Sequence, residues 1–155
     1  MQIDYYPKYI VDACVMLAYT DEKEPHHAEA LDFFVQLDSF AKSGKRVEMV
    51  IPAHFYLEVN LNVMRKRRDA QNGSIAYKFR NSQEGVSART PYPITPLLMK
   101  QIEERGLYEK FAFKLKVGDF IYAAIAYLES IPLVTLDKTD FTKVATDVKV
   151  IFLTP

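Results

Sequence analysis

The chain has 155 residues, long enough for one domain with a sizeable core. It is 49% hydrophobic and 26% charged, the balance of a folded globular protein, which excludes a disordered chain. Its 20 basic and 20 acidic residues cancel to a net charge of zero, so any hold on nucleic acid must come from a local patch and not from an overall basic field. The single cysteine, Cys14, excludes an intrachain disulfide and a zinc site built on cysteines. The first eight residues, Met1 to Lys8, lack the basic-then-apolar layout of a signal peptide. The longest apolar run, Tyr9 to Tyr19, contains Asp12 and is too short to span a bilayer. A soluble, cytoplasmic protein is expected.

In chain order, Lys8 to Asp12 reads as a first strand. Pro25 opens a helical pattern with Ala28, Leu31, Phe34, Val35 and Leu37 on one side, a spacing near 3.6 residues. Arg46 to Ile51 is a second strand, and Pro52 then takes the first position of a helix running through Arg68, where its missing N–H is no loss. The polar stretch Asn72 to Pro91 lacks a period; a short helix at Ile75 to Arg80 and a flexible link are expected there. Tyr92 to Thr95 is a weak third strand. A helix opens at Gly118-Asp119, with Asp119 as N-cap, and runs through Ser130. Pro132 to Leu136 and Val148 to Leu153 complete the strands. Strands alternating with helices predict an α/β domain with a central, mostly parallel sheet of four or five strands flanked by helices. With no repeat and no composition break, residues 1–155 read as one domain.

Four acids carry the functional signal, and each has a structural alternative. Asp12 is the lone charge in an apolar run, costly unless paired or bound to a cation, but an acid at a strand end also caps the next helix. Asp119 reads as an N-cap, Asp137 as a turn residue bonding its own backbone, and Glu58 as a solvated acid favoured by a helix dipole. Together they gain weight. Asp12 and Asp137 follow strands, Asp119 and Glu58 lie near helix starts, and ligands of open α/β sheets bind at that carboxyl edge. Clustered carboxylates repel unless a divalent cation sits among them, and an all-oxygen set points to Mg²⁺ or Mn²⁺.

The segments Tyr9-Ile10-Val11-Asp12-Ala13, Pro52 through Arg65 around Glu58, Gly118-Asp119-Phe120-Ile121-Tyr122-Ala123-Ala124-Ile125-Ala126 and Leu133-Val134-Thr135-Leu136-Asp137-Lys138-Thr139-Asp140-Phe141 resemble the four acidic motifs of PIN domains. The resemblance is closest to toxin ribonucleases of the VapC type and runs in order along the chain. It implies a three-layer PIN-like fold and a Mg²⁺- or Mn²⁺-dependent endoribonuclease. It also implies a homodimer, often held inactive by a cognate antitoxin. Matched position by position, Asp12, Glu58, Asp119 and Asp137 are the catalytic, metal-binding acids. Asp140 matches a further acid of the metal site in some members, expected to orient rather than bind. Where members often place Ser, Thr or Asn after the first Asp, this chain has Ala13-Cys14, so a polar partner of Asp12 is expected to be missing. Cys14, followed by Val15 and Met16, reads as a small core residue.

The run Arg65-Lys66-Arg67-Arg68 closes the Glu58 helix. It reads either as a dipole-complementing C-terminus or as an RNA-phosphate contact helped by Lys78, Arg80 and Arg89, which would position RNA without reading its sequence. His26, His27 and His54 read as structural. Two other functions compete. An Asp-nucleophile phosphatase of the haloacid-dehalogenase type needs a second Asp where Cys14 stands. A PIN-fold interaction module without catalysis typically lacks one or more of the four acids, and this chain keeps all of them.

Overall fold

The computed structural model describes residues 2–69 and 88–154, and of residues 63, 65–69 and 88–90 the backbone alone. Five strands, β1 (Lys8–Val11), β2 (Glu48–Pro52), β3 (Ala88–Tyr92), β4 (Leu133–Thr135) and β5 (Val150–Phe152), form one sheet in the order β3-β2-β1-β4-β5, every pairing parallel. Seven helices flank it among the described residues: α1 (Ala13–Thr20), α2 (His27–Lys42), α3 (Ala53–Asp69), α4 (Pro96–Glu104), α5 (Leu107–Phe111), α6 (Val117–Glu129) and α7 (Lys138–Phe141), the last followed by a 3₁₀ turn at Thr142–Val144. None of them is long and apolar enough to cross a membrane.

Tyr9, Ile10 and Val11 of β1 are all fully buried. Since neighbouring strand residues point to opposite faces, both faces of the sheet are covered, as an all-parallel sheet requires. Phe33, Phe55, Phe111 and Phe141 are buried with them, each contributing about 1.5–3 kcal/mol by leaving water.

The α/β class and the parallel sheet are as the sequence predicts; several local expectations are not. The apolar face of α2 is Ala30, Phe33, Phe34 and Leu37, a stripe at i, i+3, i+4 and i+7, while Leu31 and Val35 face solvent. Pro52 ends β2, paired with Tyr92, and the helix begins one residue later. The third strand lies at 88–92, because Thr95 caps α4 by accepting from the Leu98 N–H (3.2 Å) with Pro96 in the first turn. That cap-and-proline signal marks a helix the sequence reading left unassigned. Helix α6 starts before Asp119: Lys116 is its N-cap position, and the Phe120 N–H bonds the Lys116 carbonyl (2.8 Å). The helix expected at Ile75 to Arg80, its link, and Lys78 and Arg80 lie outside the described residues, as do the side chains of Arg65, Lys66, Arg67, Arg68 and Arg89.

The strand order fixes where a site can form. From β1 the chain steps out to β2 and β3, then returns to place β4 and β5 on the other side. The crevice between β1 and β4, at their carboxyl ends, is the switch point at which open α/β sheets bind ligands.

Candidate metal centre

Asp12 follows β1 directly at this switch point, its N–H bonded to the Val134 carbonyl of β4 (3.0 Å). It is the N-cap of α1, accepting from the Cys14 N–H at 3.3 Å. The Cys14 thiol donates to Oδ2 (2.9 Å) and the Thr135 hydroxyl donates to the same oxygen (2.7 Å). Thr135 Oγ1 in turn accepts the Asp137 N–H at 2.9 Å. A relay of neutral donors thus ties the ends of β1 and β4 together around a buried carboxylate. The Asp12 carboxyl is pushed above its ordinary value by burial, opposed by these hydrogen bonds and reinforced by Asp137. Asp12 is a helix cap as well as a candidate ligand, and Cys14 supplies the polar partner that the sequence reading expected to be missing.

Glu58 reaches the cluster from α3. Its Oε2 accepts from the Tyr122 hydroxyl of α6 (2.9 Å). Its Oε1 packs on Gly118, where a β-carbon would lie 2.4 Å away. Burial raises the Glu58 carboxyl, and Asp12 adds to the rise. Tyr122 is fully buried, with its ring against His54 (centroids 4.6 Å apart). Burial, Asp12 and Glu58 hold its phenol far above the ordinary range, so it remains a donor.

Asp119 stands in the first turn of α6. Its carboxyl is pushed up to about 6 by burial and then by Asp12, Asp140 and Asp137, with Lys116 opposing. Asp137 caps α7, accepting from the Asp140 N–H at 3.0 Å. Asp140 differs from the rest. Lys143 Nζ lies 2.6 Å from its Oδ1 and Lys116 Nζ 3.0 Å from its Oδ2, and these two ammonium groups hold its carboxyl below the ordinary value.

The sheet edge therefore links the five acids electrostatically: Asp12 acts on Glu58 and Asp119, and Asp137 and Asp140 act on Asp119. Among the described residues no three His, Cys, Asp or Glu side chains are close enough to grip one metal ion as they stand, so ligation requires them to draw in. In donor chemistry the set fits a hard divalent cation: oxygen only, partly buried, with the charge of Asp12 and Glu58 uncancelled and that of Asp119 offset only in part by Lys116. The basic run Arg65–Arg68 lies in the last turns of α3, with Arg65 about 10 Å along the helix axis from Glu58. His27 Nδ1 bonds the Ala18 carbonyl (2.8 Å), and burial lowers the His54 imidazole from its ordinary value.

The sequence model of the PIN domain family matches residues 9–147. The chain belongs to the PIN domain family. PIN domains are generally nucleases and generally use divalent metals. The fold is similar to a chain in the crystal structure of VapBC2 from Rickettsia felis bound to a DNA fragment from their promoter. That match has a TM-score of 0.64 and 16% identity, covering 94% of this chain and 98% of that one. It is also similar to PAE2754 from Pyrobaculum aerophilum, with a TM-score of 0.52 and 19% identity over 94% and 90% of the two chains. At these identities the likeness is one of fold. No curated protein sequence matches the chain.

Within this PIN domain, sequence reasoning passed over the residues that position the acids. Thr135 stands two places before Asp137 and Gly118 directly before Asp119, so both were legible as neighbours of an acid. Tyr122 and Lys143 gave no such signal.

Proposed function

We propose that this PIN domain is a Mg²⁺- or Mn²⁺-dependent endoribonuclease, acting in the cytoplasm as the toxin of a toxin–antitoxin pair. The observation that carries the reading is the set of acids at the β1–β4 switch point, where Asp12 and Glu58 are oriented by neutral donors and repel one another. Asp12, Glu58, Asp119 and Asp137 would hold the cation, which would activate a water and offset charge building on the phosphate oxygens. The chain's own residues do the placing. Thr135 and Cys14 fix the rotamer of Asp12, Tyr122 and Gly118 aim Glu58, and the bond that Asp137 accepts from the Asp140 N–H holds it at the start of α7. Arg65, Lys66, Arg67 and Arg68 would steady the bound strand by its phosphates. A homodimer and a cognate antitoxin fit the exposed apolar stripe Leu57, Leu61 and Met64 on α3, which is 61%, 45% and 66% exposed.

The test is incubation of purified protein with structured RNAs and Mn²⁺. Cleavage by the wild type and its loss in Asp12→Asn is the expected result. Equal cleavage by both proteins, or by neither, defeats the proposal.

A further inference from the structure

We infer that Lys116 and Lys143 form a phosphate-contacting pair at the rim of the carboxylate cluster, with Asp140 as the anchor that presents both ammonium groups to a polynucleotide backbone. The inference rests on the nuclease reading for its ligand, and on separate residues for its evidence.

Both lysines come from elements that frame the site. Lys116 is the N-cap position of α6, three residues before Asp119, and Lys143 lies in the turn after α7, six residues beyond Asp137. One carboxylate takes both, an oxygen each, at 3.0 and 2.6 Å. The Asp140 side chain is only 9% exposed, while those of Lys116 and Lys143 are 80% and 46% exposed. The anchor is therefore interior and the ammonium groups face water. Each ammonium has three donors and gives one to Asp140, which leaves donors for phosphate oxygens. Two positive charges on one negative leave the trio cationic.

Stability accounts for one ammonium, since a buried carboxylate needs a partner. The second is surplus to that need, and approach of a polyanion accounts for it. A strand entering the crevice meets Asp12, Glu58, Asp119 and Asp137. Even with a cation among them, phosphates on either side of the reacting one need a positive partner within a Debye length, about 8 Å at physiological salt. The trio supplies one beside the acids. With both its oxygens engaged by lysines, Asp140 serves as an anchor and not as a fifth ligand.

The experiment measures binding of a short fluorescein-labelled single-stranded RNA by anisotropy across a NaCl series, in chelator so that nothing is cut. Mn²⁺ binding to the same full-length proteins is measured by calorimetry. Lys116→Ala and Lys143→Ala should each lower the slope of log affinity against log salt by about 0.7, the value of one phosphate contact on a single strand. Their Mn²⁺ affinity should be no weaker than wild type. Asp140→Asn should likewise retain Mn²⁺ binding, whereas Asp119→Asn should not. Unchanged salt slopes in both lysine variants, or no RNA binding by the wild type, overturn the pair. Loss of Mn²⁺ binding in Asp140→Asn overturns the anchor. Reduced slopes in a protein that binds no Mn²⁺ would keep the pair and remove the metal-nuclease reading; unchanged slopes with metal-dependent cleavage intact would do the reverse.

Discussion

Asp12 and Asp140 belong to one cluster and are nearly equally buried, at 6% and 7% exposure, yet their surroundings answer their charge differently. Asp12 receives a thiol, a hydroxyl and a backbone amide, all neutral. Asp140 receives two ammonium groups. Neutral donors fix the direction of a carboxylate without cancelling its charge, so burial still drives the Asp12 carboxyl up. The lysines cancel the charge of Asp140, and its carboxyl goes down. Glu58 and Asp119 side with Asp12. Asp12 and Glu58 are oriented but uncompensated, and Asp119 is offset only in part by Lys116, the condition in which a bound cation gains most. The outer acid is already compensated.

The largest effect that could break this division comes from Gly118→Ala. Helix propensity favours alanine, but the new β-carbon would lie 2.4 Å from Glu58 Oε1 and push the end of that side chain aside. Mn²⁺ affinity by calorimetry should fall roughly 10–100-fold, the range seen when a ligand's support is lost, while the melting temperature stays near wild type. Unimpaired Mn²⁺ binding would remove Glu58 from the inner set. Tyr122→Phe acts on the other oxygen of Glu58 and should cost Mn²⁺ affinity at the lower end of that range, about 10-fold.

The fold was legible in the sequence because alternating apolar strands and helices set the class, and the acids were legible because each follows a strand or opens a helix. What placed them was not. The hydroxyl of Tyr122 meets Glu58 across 64 residues and that of Thr135 meets Asp12 across 123, and neither spacing leaves a local pattern. The reading of Cys14 as a core residue was right about its packing and incomplete about its chemistry, for a related reason. Its side chain turns toward Asp12 and Thr135 and does not simply fill space, a choice that neighbouring Val15 and Met16 cannot reveal. Asp119 as N-cap failed because a cap depends on where the helix begins, and the N-cap position of α6 is Lys116, three residues earlier.

Acidity sharpens the comparison with a smaller effect. The Asp119 carboxyl rises from 3.8 to about 6 in the folded chain. A raised acid contributes its stability fully below 3.8 and loses it as pH rises through about 6. In chelator the melting temperature of the wild type should therefore fall across that window, and Asp119→Asn should flatten the fall. Asp140, whose carboxyl is lowered, has the opposite sign: its contribution is present above 3.8 and lost as pH drops through its lower folded value. Asp140→Asn should narrow the window without removing it, since Asp140 is one of the charges that raise Asp119 but burial is the larger cause. The smallest effect is expected of Cys14→Ser, which keeps a donor beside Asp12; Mn²⁺ affinity should stay within a few-fold of wild type, while Cys14→Ala falls further.

The most direct test of the inner acids as a cation site is the melting temperature of wild type and Asp119→Asn, each in chelator and in Mn²⁺. Removing one of several mutually repelling charges should make Asp119→Asn melt above the wild type in chelator. Added Mn²⁺ stabilises the native state only as far as it binds there, so the wild type should gain on addition and Asp119→Asn should gain less. If Asp119→Asn melts below the wild type in chelator and Mn²⁺ shifts neither curve, the acids at the β1–β4 crevice are structural and the metal centre is refuted.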